Sequence, residues 1–292
     1  MVLNKTHPYM GSKLRITPQL TSVLPHEEKY AELFLGSAAV YMNRVADSTN
    51  ILCDIDSAIT NMWRVVSDDK KSLEFLHKFE KMDVDTIIFE EALKYENASD
   101  FSDVDRAVMT YYTLVYSFDG NRKNMRYGGK PHEWNEMKVK GKRRLIENWE
   151  AWRYHASKAQ IITDNGLHVL EEIKNDEKAV IMLDPPYVKE LLGDYNKNLY
   201  RGRFSDMEQL EMLRSIQSAK AKIMLCGYRG GSMLYDQYLN KDTGWHCYCV
   251  NDRLTKSCRT GSKKGFAQEY IWVNYEIPEK CRYYFSTFDL AI

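Results

Sequence analysis

Five short apolar runs, each followed by chain of helical periodicity, constrain this sequence more than any other feature. They are Lys29–Leu35, Asn50–Ile55, Ala159–Thr163, Ala179–Leu183 and Lys222–Gly227. Runs of this length, bounded by turn residues, are the size of buried strands and too short for buried helices. Strands alternating with helices specify a parallel, doubly wound sheet. Asp56 is placed to cap the helix after the second run, and Ser205-Asp-Met-Glu208 is a capping box ahead of the fifth. The helix it opens is predicted to bury Met207, Leu210, Leu213 and Ile216 along one face.

The alternation breaks twice. From about Ser57 to Ser157 the chain is helical in tendency, with Val108, Tyr111, Tyr112, Val115 and Tyr116 at helical spacing, followed by a Gly- and Arg-rich loop. This predicts an inserted helical domain, residues 57–157, within a main domain of residues 1–56 and 158–292. Near the end, Trp245–Val250 and Glu269–Asn274 read as strands joined by a polar, basic loop with no room for a helix. The expected fold is α/β: a doubly wound, mostly parallel seven-stranded sheet with a terminal antiparallel hairpin and a helical insertion.

Composition excludes several classes. With 44% hydrophobic and 28% charged residues the chain has ample material for a core and is not disordered throughout. No apolar run approaches the roughly 20 residues that cross a bilayer. The first residues, Met1 to Lys13, hold no apolar signal core, so a cytoplasmic protein is expected. The six cysteines (Cys53, Cys226, Cys247, Cys249, Cys258 and Cys281) form no CxxC pair and no zinc-site spacing. They read as reduced and structural, with Cys247 and Cys249 on one strand face. Nothing in the pattern implies a metal, a membrane or an oligomer.

Net charge is zero, but its distribution is uneven. Between Asp68 and Asp105 there are twelve acidic and five basic residues, whereas Lys138–Arg144 has five basic residues and no acid, as does Arg253–Lys264. Arg122, Lys123, Arg126 and Lys130 make a third basic group. Each cluster suits phosphate contact, and each is also what a solvated loop looks like.

The sharpest chemical signal is Asp184-Pro185-Pro186-Tyr187, directly after the apolar run Ala179–Leu183. Two prolines fix φ and lack N–H groups, so the chain leaves the sheet in a rigid loop at a strand's carboxyl end, where open α/β sheets bind ligands. The Asp184 carboxylate and the Pro185 carbonyl can accept hydrogen bonds from one amino group, and Tyr187 offers a flat face. An ordinary strand exit with a capping Asp is the alternative for the tetrapeptide alone. Glu32-Leu-Phe-Leu-Gly-Ser-Ala38 ends another strand on a glycine, and Asp54 ends the next, near the 20-residue spacing at which an acid meets ribose hydroxyls. Each alone is a turn; together they describe a site for an adenosine-containing cofactor. Pro8-Tyr-Met-Gly-Ser-Lys13 adds a ring and a lysine in a short loop that by itself reads as a surface turn.

In this order, Tyr-x-Gly-Ser-Lys, Phe-x-Gly, a strand-ending Asp, a long insertion and Asp-Pro-Pro-Tyr, the chain resembles the Dam-type DNA adenine methyltransferases of the alpha arrangement, from about Pro8 to Glu276. The resemblance implies a Rossmann-like methyltransferase fold and S-adenosyl-L-methionine as cofactor. It carries Tyr9, Lys13, Phe34, Gly36, Asp54, Asp164 and Asp184 over as cofactor contacts and Asp184, Pro185, Pro186 and Tyr187 as the catalytic loop. It also implies a bacterial or phage-type protein whose insertion recognises double-stranded DNA. Two motifs depart from the pattern: in the first, Tyr9 and Ser12 replace a Trp and a Gly, and in the second Ala38 replaces the second Gly of FxGxG.

On that resemblance, Arg122, Lys123, Asn124 and Arg126 are candidates to read bases, since Arg suits guanine and Asn adenine. Lys138, Lys140, Lys142, Arg143, Arg259 and Lys263 are candidates to hold phosphates. The implied reaction is methyl transfer to the exocyclic amino group of a flipped adenine. The alternatives are the amino group of cytosine or an RNA target, disfavoured by Asp at position 184 and by the basic insertion, and a non-catalytic DNA-binding remnant, disfavoured by the intact Asp-Pro-Pro-Tyr.

Overall fold

Apolar runs flanked by turn residues become strands where the sequence places them. The computed structural model describes residues 4–45, 48–95, 98, 100–126, 133–187, 204–229, 234–255 and 266–287. Among them the strands are β1 (Lys29–Glu32), β2 (Thr49–Asp54), β3 (Ala159–Thr163), β4 (Ala179–Leu183), β5 (Lys222–Tyr228), β6 (His246–Thr255), β7 (Phe266–Val273) and the two-residue β8 (Ser286–Thr287). The helices are α1 (Thr17–Val23), α2 (Ser57–Ser67), α3 (Asp69–Lys81), α4 (Thr86–Tyr95), α5 (Asp103–Tyr116), α6 (Trp134–Ser157), α7 (Gly166–Ile173), α8 (Asp206–Gln217) and α9 (Leu234–Tyr238). The strand order is β3-β2-β1-β4-β5-β7-β6-β8. This is the expected seven-stranded, mostly parallel arrangement with an antiparallel end, extended by the short β8.

The chain forms two compact units, Met1–Thr17 with Leu35–Asp164, and Pro18–Phe34 with Asn165–Ile292. In the first, β2 and β3 pair in parallel from Asn50↔Ala159 to Asp54↔Thr163. Arg64 of α2 donates to the Ile161 carbonyl at 3.0 Å and the Thr163 hydroxyl at 2.8 Å, fastening the helix to β3. The five helices α2 to α6 gather an aromatic core. The Trp152 ring of α6 lies 5.7 Å from Trp63 of α2, 6.1 Å from Phe75 of α3 and 5.6 Å from Tyr111 of α5. Val108, Tyr111, Tyr112, Val115 and Tyr116 are all buried on α5, as their spacing predicts.

In the second unit, β1, β4 and β5 are parallel and β5, β7 and β6 antiparallel. Strand β4 is buried at all five positions, which explains its unbroken apolar sequence. Strand β1 ends at Glu32 rather than running to Leu35, although Leu33 still donates to the Met182 carbonyl at 3.3 Å. The capping box forms as expected, with Ser205 and Glu208 bonded reciprocally. The face of α8 differs from expectation: Met207 is 72% exposed, and Gln209, Met212, Leu213 and Ile216 are buried. The reason is polar. The Gln209 amide donates to the Pro186 carbonyl and accepts from the Tyr235 hydroxyl, both at 2.8 Å, so a satisfied glutamine occupies a core position.

Helix α6 supplies a direct test of which apolar groups hold the first unit. Trp152→Ala is expected to lower unfolding free energy by about 3–5 kcal/mol. Ile146→Ala, which removes a side chain 57% exposed on the same helix, is expected to change it by less than about 0.5 kcal/mol. Urea denaturation of both variants checks the contrast.

Candidate active site

In the first unit the carboxyl ends of β2 and β3 bring two acids side by side: the Asp164 N–H donates to the Asp54 carbonyl at 3.3 Å. The Asp54 carboxylate is held by the backbone. Its Oδ2 accepts from the Gly36 N–H and its Oδ1 from the Asp56 N–H, each at 2.9 Å. Burial pushes its carboxyl up to about 6 against these amides, which favour the charged form. Asp56 caps α2 as expected, accepting from the Ala58 N–H at 3.0 Å.

Gly36 has φ +46°, and a Cβ there would lie 2.9 Å from the Tyr9 ring, so Tyr9 sits directly on the glycine. The N-terminal loop is tied to the same turn by Ser12, whose hydroxyl meets that of Ser37 at 2.8 Å. The serine that departs from the family pattern thus supplies a bond glycine could not. Ala38, a further departure, takes φ +49°, a region that suits the glycine it replaces. Lys13 is buried and donates to the Gly11 carbonyl at 2.9 Å.

In the second unit Phe34 follows β1 and meets the edge of Phe204 at 5.2 Å. The Asp184–Tyr187 loop follows β4. Asp184 is half-buried, while Tyr187 is buried with its hydroxyl donating to Glu269 of β7 at 2.8 Å and its ring 4.4 Å from Tyr228. Burial, and Asp184 nearby, raise the phenol well above its usual range, so it stays neutral and a donor. Gln209 grips the other side of the loop at Pro186. The loop is therefore held by two side chains as well as by its prolines.

The candidate DNA contacts divide. Lys123 and Asn124 are exposed and Arg126 half-exposed. Arg122 is 4% exposed, its guanidinium bonded to Asp56, so it is not part of an exposed basic surface. The lysine-rich stretch lies within α6, where Lys138 pairs with Asp83, Lys140 with Glu136 and Arg143 with Glu147, and Lys142 donates to the Glu80 carbonyl. Of these partners Asp83 and the Glu80 carbonyl come from the acidic segment before it, while Glu136 and Glu147 belong to α6 itself. Arg259 and Lys263, like Lys130 and Cys258, lie outside the described residues. Among the described residues Cys53, Cys226, Cys247, Cys249 and Cys281 form no disulfide with one another. Among the described residues no helix is long and apolar enough to cross a membrane, and no group of His, Cys, Asp and Glu is disposed to hold a metal.

The model of the D12 class N6 adenine-specific DNA methyltransferase family matches residues 9–246, most of the chain and every strand through the start of β6. The chain belongs to that family. It is also 23% identical over 273 residues to a DNA N-6-adenine-methyltransferase of Escherichia phage P1, covering 91% of this chain and 34% of the relative. The chain thus spans about a third of the length of that curated relative.

In this D12 class chain, sequence reasoning missed the side chains that hold the loops. Glu269 had a signal: a lone carboxylate in a Tyr-Ile-Trp-Val strand needs a partner when buried. Gln209 and Ser12 had none, since their partners are distant in sequence. His7, also overlooked, is buried beside Tyr9, their rings 6.1 Å apart. Burial, with Arg122 and Arg144 nearby, drives its imidazole down to about 3. A histidine held neutral this way favours folding at neutral pH and loses that contribution as pH falls from about 6.5 toward 3, because the unfolded chain then binds the extra proton. His7→Gln is expected to show a flatter decline in stability across that range than wild type, measured by denaturation at successive pH values.

Proposed function

We propose that this chain transfers a methyl group from S-adenosyl-L-methionine to the exocyclic amino group of adenine in double-stranded DNA. The observation that carries the reading is the Asp184-Pro185-Pro186-Tyr187 loop, rigid and clamped at the carboxyl end of a fully buried strand in a chain of this family. Residues 57–157 are proposed as the target-recognition insertion, with residues 1–56 and 158–292 as the catalytic domain.

The residues of the first unit fit an adenosyl group. Asp54 has each oxygen fixed by one backbone amide, which leaves lone pairs for vicinal ribose hydroxyls. Gly36 gives close backbone access, Tyr9 a ring, and Lys13 and Asp164 polar groups at the same turns. Phe34 and Asp184 are proposed for the same ligand. Bound there, adenosylmethionine would supply an electrophilic methyl, with a neutral thioether as the group that would leave with the electron pair of the C–S bond.

The protein's own task is positioning. The amino nitrogen of adenine is a poor nucleophile because its lone pair is delocalised into the ring. Asp184 and the Pro185 carbonyl accept its two N–H groups and favour a pyramidal nitrogen whose lone pair is directed at the methyl carbon. Asp184 need not be a strong base, since the nitrogen becomes acidic once methylated and sheds its proton after transfer. The base leaves the duplex to reach the loop, and Tyr187, oriented through Glu269, offers it a ring. Lys123, Asn124 and Arg126 are proposed to read the site, with the α6 lysines, Arg143, Arg259 and Lys263 on the phosphates.

Two outcomes are expected. Labelled adenosylmethionine incubated with unmethylated duplex DNA should yield N6-methyladenine on nucleoside digestion, and Asp184→Ala should lower the rate by at least about a hundredfold, as loss of a group acting on the reacting atom does. Label found in cytosine, or only in RNA, would move the reading to that substrate. Because burial pushes the Asp54 carboxyl up to about 6, cofactor affinity should weaken as pH falls through that value, and the dependence should flatten in Asp54→Asn, as binding titrations from pH 5 to 8 would show.

A further inference from the structure

The sequence pattern groups Arg122 with base-reading side chains, yet the structure turns it inward. Its side chain is 4% exposed and its guanidinium is bonded to Asp56, itself 9% exposed. The Asp56 N–H is one of the two amides that hold the Asp54 carboxylate, at 2.9 Å. The other is that of Gly36, also at 2.9 Å. Arg122 therefore bears on the short turn that carries Asp54.

The same loop reaches a second cofactor candidate. Gly120 has φ +68°, and a Cβ there would fall 2.3 Å from the Pro8 carbonyl oxygen, so the loop backbone lies against Pro8–Tyr9. Tyr9 in turn covers Gly36. The loop is built for this approach: Asp119 and Arg122 hold φ +51° and +49°, conformations that side chains rarely take. The Arg122 N–H is anchored to the Ser117 hydroxyl at 3.1 Å. The loop that opens the proposed DNA-reading segment thus backs two cofactor residues through separate contacts.

We propose that Arg122 is a positioning residue for the adenosyl cofactor rather than a DNA contact, holding the Asp54 turn through Asp56 while its loop seats Tyr9. The proposal rests on the reading that Asp54 holds the ribose. Removing the guanidinium leaves a buried carboxylate without its cation, and the turn loosens where the ribose would bind. Lys123 and Asn124, exposed on the same loop, are the side chains of this loop proposed to meet DNA.

The test uses the full chain with adenosylmethionine as ligand, without DNA, by calorimetry. The variants are Arg122→Lys, Arg122→Met, Asp56→Asn and Asp54→Ala, with folding checked by circular dichroism. Asp56→Asn keeps the helix cap and removes the charge, so the pair is probed from both sides. Arg122→Lys and Asp56→Asn are expected to weaken cofactor binding at least about fivefold, within the usual range of coupling between groups. Affinity for a 30-base-pair duplex and its salt dependence should not change, and in turnover the cofactor KM should rise while kcat holds. The Arg122→Met/Asp56→Asn double variant should be no worse than the poorer single one. Unchanged cofactor affinity in the Arg122 variants, with weaker DNA binding and a shallower salt slope, would make Arg122 a phosphate contact and overturn the proposal. A parallel fall in cofactor binding, DNA binding and kcat would also overturn it, as the mark of a merely structural residue. Asp54→Ala separates the two readings: cofactor loss there with normal Arg122 variants sinks only this inference, whereas normal binding by Asp54→Ala sinks the reading beneath it.

Discussion

A carboxylate at the mouth of a buried strand has to find donors, and Asp54 finds them in the backbone of two different turns. One amide belongs to Gly36, after β1, and the other to Asp56, before α2. Because a carboxylate accepts strongly and directionally, this pair of bonds sets the course of both segments at once. The consequences spread outward. The Gly36 turn carries Ser37, to which Ser12 is bonded, and offers the bare backbone on which Tyr9 rests. Asp56, fixed by the same bond, caps α2 and receives Arg122. A single acid thus organises the end of β2, the start of a helix and the N-terminal loop.

The Asp184–Tyr187 loop is held on another principle. Its prolines restrict the backbone but cannot donate, so orientation has to come from side chains elsewhere in the second unit. Gln209 takes the Pro186 carbonyl, Glu269 takes the Tyr187 hydroxyl, and Tyr235 holds Gln209 in place. Each of these is a buried polar group, and each is tolerated in the core because it is bonded. The burial of Gln209 in place of Met207 on α8 follows from this need. Rigidity of this kind is what a positioning mechanism requires, since misalignment by an ångström costs far more rate than binding.

The lysines of α6 make a related point about charge. In sequence they form an uninterrupted basic stretch, and in space Asp83, Glu136 and Glu147 stand against them. These are exposed pairs of small strength, open to exchange for phosphates at little cost. The acidic segment from Asp68 to Asp105 and the basic stretch after it are therefore less separate than their order along the chain suggests.

By itself the sequence determined the strands, the parallel core, the terminal hairpin and the capping box, because these depend on local periodicity and on the short reach of a cap. It also determined the family, since Asp-Pro-Pro-Tyr behind an apolar strand and a strand-ending Asp are local patterns. Only the tertiary structure decided what Ser12, Gln209, Glu269 and Arg122 do, because their partners lie 25, 23, 82 and 66 residues away. Arg122 shows the reason most clearly. An arginine in a Gly- and Asn-rich loop has the same local sequence whether it faces DNA or a carboxylate in the interior. The direction was set by Asp56, which the fold brings to it and the chain order does not.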